Sequence, residues 1–233
     1  MKVHPTAKID LVYIDLYGQE RSYLLYAAGE THKNLVTEVK FLLGHLDDTK
    51  LLCEYGTTPL HESAHVGNIV LTKIFLQYNP SWVNATTPKN KWTPLHCIAA
   101  SNNPSDCDEK QTTEILLEHG ADPNALSDDN ETPLHVCAGF GFTPWSSFTK
   151  GRILLEYGAD VDIKNQFGET ALDIVKKATS PPISIYDKQR MIHILENYCI
   201  YKQSPRGPKP KGSEAQSLRG SRSQWDILVI LLH

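Results

Sequence analysis

Several features that mark secreted, membrane-embedded or disulfide-stabilised proteins are missing from this chain of 233 residues. No apolar run reaches the roughly 18 to 20 residues of a membrane-spanning helix, and the first residues lack the basic and apolar regions of a secretion signal. The five cysteines are widely scattered and form no C-x-x-C pair. This scatter favours reduced thiols over a disulfide scaffold. We therefore expect the protein to lie in the cytoplasm or the nucleus.

The common catalytic motifs are missing as well. The chain contains no P-loop and no G-x-S-x-G sequence, and Gly139-Phe140-Gly141 lacks both a third glycine and a preceding strand. None of the cysteines has a spacing to a histidine that indicates a nucleophile and its base. The sequence therefore predicts no enzyme and no cofactor.

Positive charge is scarce in the body of the chain and concentrated near its end. The net charge is −4, but residues 202–233 hold six basic and two acidic residues, which leaves −8 for the preceding residues. An acidic body argues against a nucleic-acid surface, because phosphate binding needs clustered lysine and arginine. Residues 204–213 are rich in Pro, Gly, Ser and Lys, so we expect 202–233 to be a disordered basic tail. Its apolar end Trp225–His233 is too short to span a bilayer, and the sequence leaves open whether it binds a partner.

A four-residue motif recurs along the chain. Thr-Pro-Leu-His begins at Thr58, Thr93 and Thr132, and a weaker copy begins at Thr170, with steps of 35, 39 and 38 residues. Each residue type suits a helix start, since a Thr hydroxyl can cap the first turn and Pro at the first position loses no hydrogen bond. Ser22 begins a fifth and fainter copy, 36 residues upstream of Thr58.

The motif and its period resemble those of the ankyrin-repeat family, in which units of about 33 residues carry Thr-Pro-Leu-His-x-Ala. The resemblance implies an all-α solenoid of helix pairs joined by hairpin-like finger turns. We expect a cap segment of strand or helix in residues 1–20 and a repeat domain over 21–201. Its units start near residues 22, 58, 93, 132 and 170. The resemblance also implies that the motif histidines hydrogen-bond across neighbouring units.

Two features depart from regular repeats. Three of the four measurable connections between paired helices are longer than the family spacing, and one of them contains the aromatic stretch Phe142–Phe148. That loop is either a second contact site or a cover over the helix ends. Lys176 and Lys177 stand where earlier units carry small residues, which predicts that the last unit closes the stack.

One enzymatic alternative rests on His61-Glu62-Ser63-Ala64-His65, which matches the zinc-protease pattern H-E-x-x-H. A zinc hydrolase would need both histidines on one helical face, Glu62 as general base and a third ligand. His61 is, however, the motif histidine that recurs without this pattern at His96 and His135. The repeat explains the match, so we expect no metal site.

The favoured function is non-catalytic protein binding by a monomeric intracellular adaptor or scaffold. The resemblance implies a concave binding surface built from the finger turns and first helices. Aromatic residues there are typical of interfaces, and the acidic set Asp128, Asp129 and Glu131 suits a basic partner. The candidate partner-binding residues are Tyr55, Lys89, Trp92, Asp128, Asp129, Glu131, Phe140, Trp145 and Phe167. A host-directed effector of an intracellular bacterium would use the same scaffold, and the sequence does not separate these two roles.

Overall fold

The computed structural model describes residues 12–14, 20–22, 35–44, 57–101, 106–140, 146–178 and 185–202. Two short strands are followed by nine helices in the described part. They are β1 (Val12–Ile14), β2 (Glu20–Ser22), α1 (Leu35–Leu43), α2 (Pro59–His65), α3 (Ile69–Tyr78), α4 (Pro94–Ala100), α5 (Asp106–Glu118), α6 (Pro133–Phe140), α7 (Ser146–Glu156), α8 (Ala171–Lys177) and α9 (Ile185–Lys202). A 3₁₀ helix, Pro80–Asn84, follows α3.

The two strands form an antiparallel hairpin ahead of the helices. Val12 lies opposite Ser22, and Ile14 lies opposite Glu20. We expected a strand or a helix in residues 1–20, and the described residues 12–14 form a strand. Ser22, the first residue of the faint motif copy, lies in β2. The rest of that copy and the tail after Lys202 lie outside the described residues.

The eight α-helices that follow α1 form pairs that repeat along the chain. We number the pairs as units, with α2 and α3 in unit 2, α4 and α5 in unit 3, α6 and α7 in unit 4, and α8 and α9 in unit 5. The first helices α2, α4, α6 and α8 contact one another in sequence order, and so do the second helices α3, α5, α7 and α9. This stack of helix pairs confirms the all-helical repeat fold that was predicted from the sequence.

The core lies between the units. The motif leucines Leu60, Leu95 and Leu134 are completely buried, each in the first turn of a first helix. The second helices contribute buried residues at one equivalent position, which are Phe75, Leu116 and Leu154. Each unit therefore places apolar side chains between its neighbours, and burying them is the main stabilising contribution of such an array.

Glycine ends the second helices of units 3 and 4. Gly120 and Gly158 have φ values of 89° and 91°, which glycine adopts without the steric strain of a side chain. In unit 5 the equivalent residue is Tyr198, and α9 continues past it to Lys202. The Tyr198 hydroxyl instead donates to the Leu155 carbonyl oxygen at 3.1 Å, which satisfies the end of α7.

No described helix is both long and apolar enough to cross a membrane.

Candidate functional site

The motif histidines join each unit to the next. His61 Nδ1 accepts the Thr58 backbone N–H at 3.2 Å, so the ring proton belongs on Nε2, which donates to the Trp92 carbonyl oxygen at 3.1 Å. His96 makes the same pair of bonds with Thr93 and with the Glu131 carbonyl oxygen, at 3.2 and 3.0 Å. His135 repeats it with Thr132 and the Glu169 carbonyl oxygen, both at 3.2 Å. The expected bridging role of the three histidines is therefore observed.

Burial holds these histidines in the neutral form. It lowers the pKa of His61 to about 4 and also lowers the pKa values of His96 and His135. A neutral ring provides the acceptor and the donor that the bridge needs, whereas a protonated ring would be two donors. The bridges are therefore formed at neutral pH and are disrupted when the rings are protonated.

Asp173 takes the histidine position in unit 5 and keeps half of this arrangement. Its Oδ2 accepts from the Thr170 backbone N–H at 3.0 Å and from the Thr170 hydroxyl at 2.8 Å. These hydrogen bonds lower the pKa of the Asp173 carboxyl. A carboxylate has no hydrogen to donate to a following finger turn. Asp173 thus caps α8 but cannot bridge to another unit.

The finger turns are the seven residues that precede each motif Thr, 86–92, 125–131 and 163–169 in units 3 to 5. The Asp128 N–H donates to the Asn90 carbonyl oxygen at 3.0 Å, and the Gln166 N–H donates to the Asp129 carbonyl oxygen at 2.9 Å. The Gln166 side-chain amide also donates to Asp129 Oδ1 at 2.7 Å. We call this hydrogen-bonded series the finger row. Its main-chain bonds fix the spacing and direction of the residues that the turns expose.

Each described finger turn has one residue in the left-handed region, two positions before its motif Thr. The residues are Lys91, Asn130 and Gly168, with φ values of 54°, 56° and 74°. Lys91 is the residue least suited to this conformation, because its Cβ crowds the backbone there. It also pairs with Asp128 at 2.6 Å, across two exposed side chains, so the ion pair contributes little stability.

Two asparagines form a second set of links between units. Asn84 Nδ2 donates to the Gly120 carbonyl oxygen at 2.8 Å, and its Oδ1 accepts the Asp122 N–H at 2.9 Å. Asn124 does the same one unit later, with Gly158 at 3.1 Å and Asp160 at 2.7 Å. These two links were not predicted from the sequence. The signal was the Asn-Ala pair that occurs at 84 and again at 124.

The predicted partner-binding residues that are exposed lie on the finger row. Lys89 is in the turn of unit 3, Asp128 and Asp129 are in that of unit 4, and Phe167 is in that of unit 5. The Phe167 side chain is 74% exposed, the largest exposure among the large hydrophobic residues described. Because the finger row joins consecutive turns, these four residues occupy one connected surface.

Two further candidates on the same turns are half-buried. The Trp92 ring stacks on the His96 ring, with centroids 6.1 Å apart and an interplanar angle of 23°. Its main chain accepts the His61 bridge. Burial raises the pKa of the Glu131 carboxyl, and the charge of Asp129 raises it further. Trp92 and Glu131 thus take part in the packing between units as well as bordering the exposed surface.

The remaining candidates lie wholly or partly outside the described residues. Tyr55 and Trp145 are not described, and Phe140 is described only as the last residue of α6, without its side chain. At the end of the aromatic stretch, the Phe148 ring lies under the Arg190 guanidinium of α9, with the guanidinium carbon 4.0 Å from the ring centroid. This part of the aromatic stretch therefore packs against the neighbouring unit.

The H-E-x-x-H pattern has no metal-site geometry. Both ring nitrogens of His61 are engaged in the bridge, so ligation of a metal would require breaking it. His65 is exposed, and its Nδ1 lies 3.4 Å from the Cys97 carbonyl oxygen. In the described parts of the chain, no group of three or more His, Cys, Asp or Glu side chains is placed to hold a metal ion.

A buried ion pair lies between units 3 and 4, on the side away from the finger row. Lys150 Nζ of α7 is 3.2 Å from Glu109 Oε2 of α5. The same ammonium donates to the carbonyl oxygens of Ile98 and Ser101 at 3.0 and 2.7 Å, which satisfies the end of α4. The ammonium is thus held by two hydrogen bonds and by the charge of Glu109. The pair fixes how α4, α5 and α7 meet.

Comparison with known proteins gives the family. A model of three ankyrin repeats matches residues 24–125, and a second model of many ankyrin repeats matches residues 108–144. Together they cover residues 24–144, just over half of the 233 residues.

Several curated proteins are similar over parts of their length. An ankyrin repeat protein of fowlpox virus is 33% identical over 97 residues, which are 42% of this chain and 47% of that protein. The transient receptor potential channel pyrexia of Drosophila melanogaster is 29% identical over 134 residues, covering 46% of this chain and 14% of the channel. Human Rabankyrin-5 is 32% identical over 100 residues, covering 41% of this chain and 8% of that protein. The chain spans less than half the length of each of these relatives.

With the family models, the stacked helix pairs and the bridging histidines in agreement, the chain belongs to the ankyrin-repeat family, whose repeats are protein–protein interaction modules.

Proposed function

We propose that this chain is a non-catalytic intracellular adaptor or scaffold that binds a protein partner through the finger row and the first helices beside it. The exposed residues Lys89, Asp128, Asp129 and Phe167 form the proposed contact surface. The observation that carries the proposal is the 74% exposure of Phe167 on a turn fixed to its neighbour by hydrogen bonds. A large aromatic side chain held in water by a rigid turn is typical of an interface hot spot.

The arrangement of charges supports the same surface. Lys89, Lys91, Asp128 and Asp129 place both signs of charge on adjacent turns, and the four side chains are exposed. Charges of this kind fix the orientation and the association rate of a partner more than they add affinity. We expect the apolar contact at Phe167 to provide most of the binding energy.

The proposal is tested by affinity capture from lysate of cells that naturally contain the protein, with quantitative mass spectrometry. The bait is the full chain or a variant that combines Lys89→Ala, Asp128→Ala and Phe167→Ala. These positions are exposed, so the variant should fold. Trp92 is left unchanged, because it packs on His96 and carries a bridge. We expect at least one protein captured by the wild type to fall by about tenfold with the variant, as loss of roughly 1.4 kcal/mol implies.

A matched control changes three exposed residues of the second helices, with Lys73→Ala, Gln77→Ala and Glu118→Ala. It should capture the same proteins as the wild type. If the control and the finger-row variant lose the same proteins, or if neither loses any, the proposed surface is wrong.

A further inference from the structure

The end of the stack formed by unit 5 leaves two apolar positions less covered than in every earlier described unit. In the first helices, the motif leucine is buried at Leu60, Leu95 and Leu134 but half-buried at Leu172. In the second helices, the equivalent position is buried at Phe75, Leu116 and Leu154 but half-buried at Ile194. Each earlier unit has a successor packed against it. Leu172 and Ile194 therefore mark an inter-unit interface that the described residues leave open.

The finger row is open at the same end. Asn90 and Asp129 stand three residues before their motif Thr, and their carbonyl oxygens accept an N–H from the next turn. Phe167 holds this position in unit 5. Within the described ranges no donor reaches its carbonyl oxygen, and its side chain projects into solvent. The open end thus combines a main-chain acceptor with an exposed aromatic ring and two aliphatic side chains.

Two residues show that the element covering this end is not another unit of the same kind. Asp173 replaces the bridging histidine and has no hydrogen to donate to a following turn. Tyr198 replaces the glycine that turns the chain from a second helix into the next finger turn, and α9 runs on to Lys202. Unit 5 therefore lacks both the bridging histidine and the helix-ending glycine of units 3 and 4.

We propose that residues Trp225–Leu232 of this chain dock on the open end of the stack, with their aliphatic side chains on Leu172 and Ile194. A main-chain N–H of the same segment donates to the Phe167 carbonyl oxygen. The segment is Trp-Asp-Ile-Leu-Val-Ile-Leu-Leu, which holds a single charge and is rich in residues that favour extended pairing. Repeat arrays require a cap on an exposed end face, and this is the most apolar segment that follows unit 5.

The connection is long enough for this contact. From Lys202 to Trp225 the chain advances 23 residues. At about 3.3 Å per residue this reaches up to about 75 Å, several times the width of a helix pair. α9 itself forms part of the end face, so the segment starts from the surface that it would cover. A tethered segment acts at an effective concentration of the order of millimolar, which favours it over a second copy in dilute solution.

The test is hydrogen exchange of the full chain, followed by mass spectrometry of peptides from α8. In a variant with Ile227→Asp and Ile230→Asp, we expect the amides of Leu172–Lys177 to exchange about tenfold faster than in the wild type. Amides of α2 and α4 should not change. The control variant has Ser217→Asp and Ser221→Asp, which adds the same charge to the polar stretch before the segment and should behave like the wild type.

A synthetic peptide of residues 225–233, added to the Ile227→Asp, Ile230→Asp variant, should restore slow exchange in α8. Equal exchange of α8 in the wild type and this variant would overturn the proposal. Protection that grows with protein concentration, together with a doubled mass in light scattering, would also overturn it, because the end would then be covered by a second copy.

Discussion

Lys150 and Glu109 form an ion pair in which both side chains are almost completely inaccessible, 1% and 0% exposed, with Nζ and Oε2 3.2 Å apart. They belong to different units and are separated by 41 residues in the sequence. Two opposite charges withdrawn from water must be matched to each other and to further hydrogen bonds. The carbonyl oxygens of Ile98 and Ser101 provide the rest of this match for Lys150.

Replacing Lys150 alone should therefore be strongly destabilising. Lys150→Met leaves the Glu109 carboxylate buried without its cation, and we expect the free energy of unfolding to fall by about 3 to 5 kcal/mol. The double variant Lys150→Met, Glu109→Leu removes both charges and should recover most of that loss. Urea denaturation of the two single variants and the double variant measures the coupling.

Lys188→Met is the matched control for this change. Lys188 also donates to helix-end carbonyl oxygens, those of Lys176 and Ala178 at 3.0 and 2.8 Å, but it is half-buried, and no buried carboxylate among the described residues pairs with it. Its replacement should cost about 1 kcal/mol. A Lys150→Met variant no less stable than Lys188→Met would contradict the role assigned to the ion pair.

The bridging histidines make stability depend on pH. Their pKa values are lowered in the folded chain, to about 4 for His61, and an unfolded histidine has a pKa near 6.5. Below about pH 6.5 these histidines therefore bind protons in the unfolded chain but stay neutral in the folded chain. Stability should fall as the pH decreases from about 6.5 towards 4, and each such histidine contributes at most about 1.4 kcal/mol per pH unit.

The His61→Gln variant isolates this effect, since it removes one bridging histidine. Denaturation at pH 7.5, 6.5 and 5.5 should show a shallower pH dependence for His61→Gln than for the wild type. His65→Gln changes an exposed residue of the same helix and is the control for replacing a histidine. The raised pKa of Glu131 changes the pH dependence of stability in the opposite direction. Because all three proteins contain Glu131, its contribution cancels when their slopes are compared. Identical slopes for all three proteins would show that the His61 bridge is not coupled to protonation.

Local sequence signals predicted the fold because each has a local cause. Thr58, Thr93 and Thr132 precede prolines at helix starts, as the sequence indicated. The bridging by histidine followed from the family resemblance. All of these features act within one unit or between adjacent ones at a fixed spacing, so a period in the sequence is sufficient to reveal them.

The features that the sequence did not reveal depend on contacts between units. Lys150 and Glu109 look like ordinary surface charges, because nothing near them in the sequence indicates that three helices meet there. Lys176 and Lys177 predicted that unit 5 closes the stack, and both lysines are exposed. The same unit also carries the half-buried apolar residues Leu172 and Ile194, which a fully polar closing face would not have. Trp92 was predicted to contact a partner, but its ring stacks on the ring of His96. Only the distance to His96 shows that the ring is packed.

The amide of Asn124 should be needed for the link between units 4 and 5. Asn124→Asp keeps an acceptor for the Asp160 N–H but replaces the donor to the Gly158 carbonyl oxygen with a negatively charged oxygen. We expect a loss of about 1 to 3 kcal/mol, measured by urea denaturation at pH 7. The nearby Asp122→Asn change keeps the acceptor for the Asn124 N–H and should stay within about 0.5 kcal/mol of the wild type. An Asn124→Asp variant within about 0.5 kcal/mol of the wild type would contradict the role assigned to the amide donor.

Gly168 and Gly139 should respond in opposite directions to the same substitution. Gly168 has φ of 74° with open space around it, so an added methyl group meets no neighbour but forces a strained backbone. Gly168→Ala should lower stability by about 1 kcal/mol. Gly139 lies in α6, and a Cβ there would be 3.6 Å from Ile174 Cγ2, an ordinary contact, so Gly139→Ala should raise stability by about 0.5 kcal/mol through helix propensity. Thermal or urea denaturation of both variants separates backbone strain from the general effect of losing a glycine. If both substitutions stabilise the chain, the left-handed conformation of the finger turn contributes no strain.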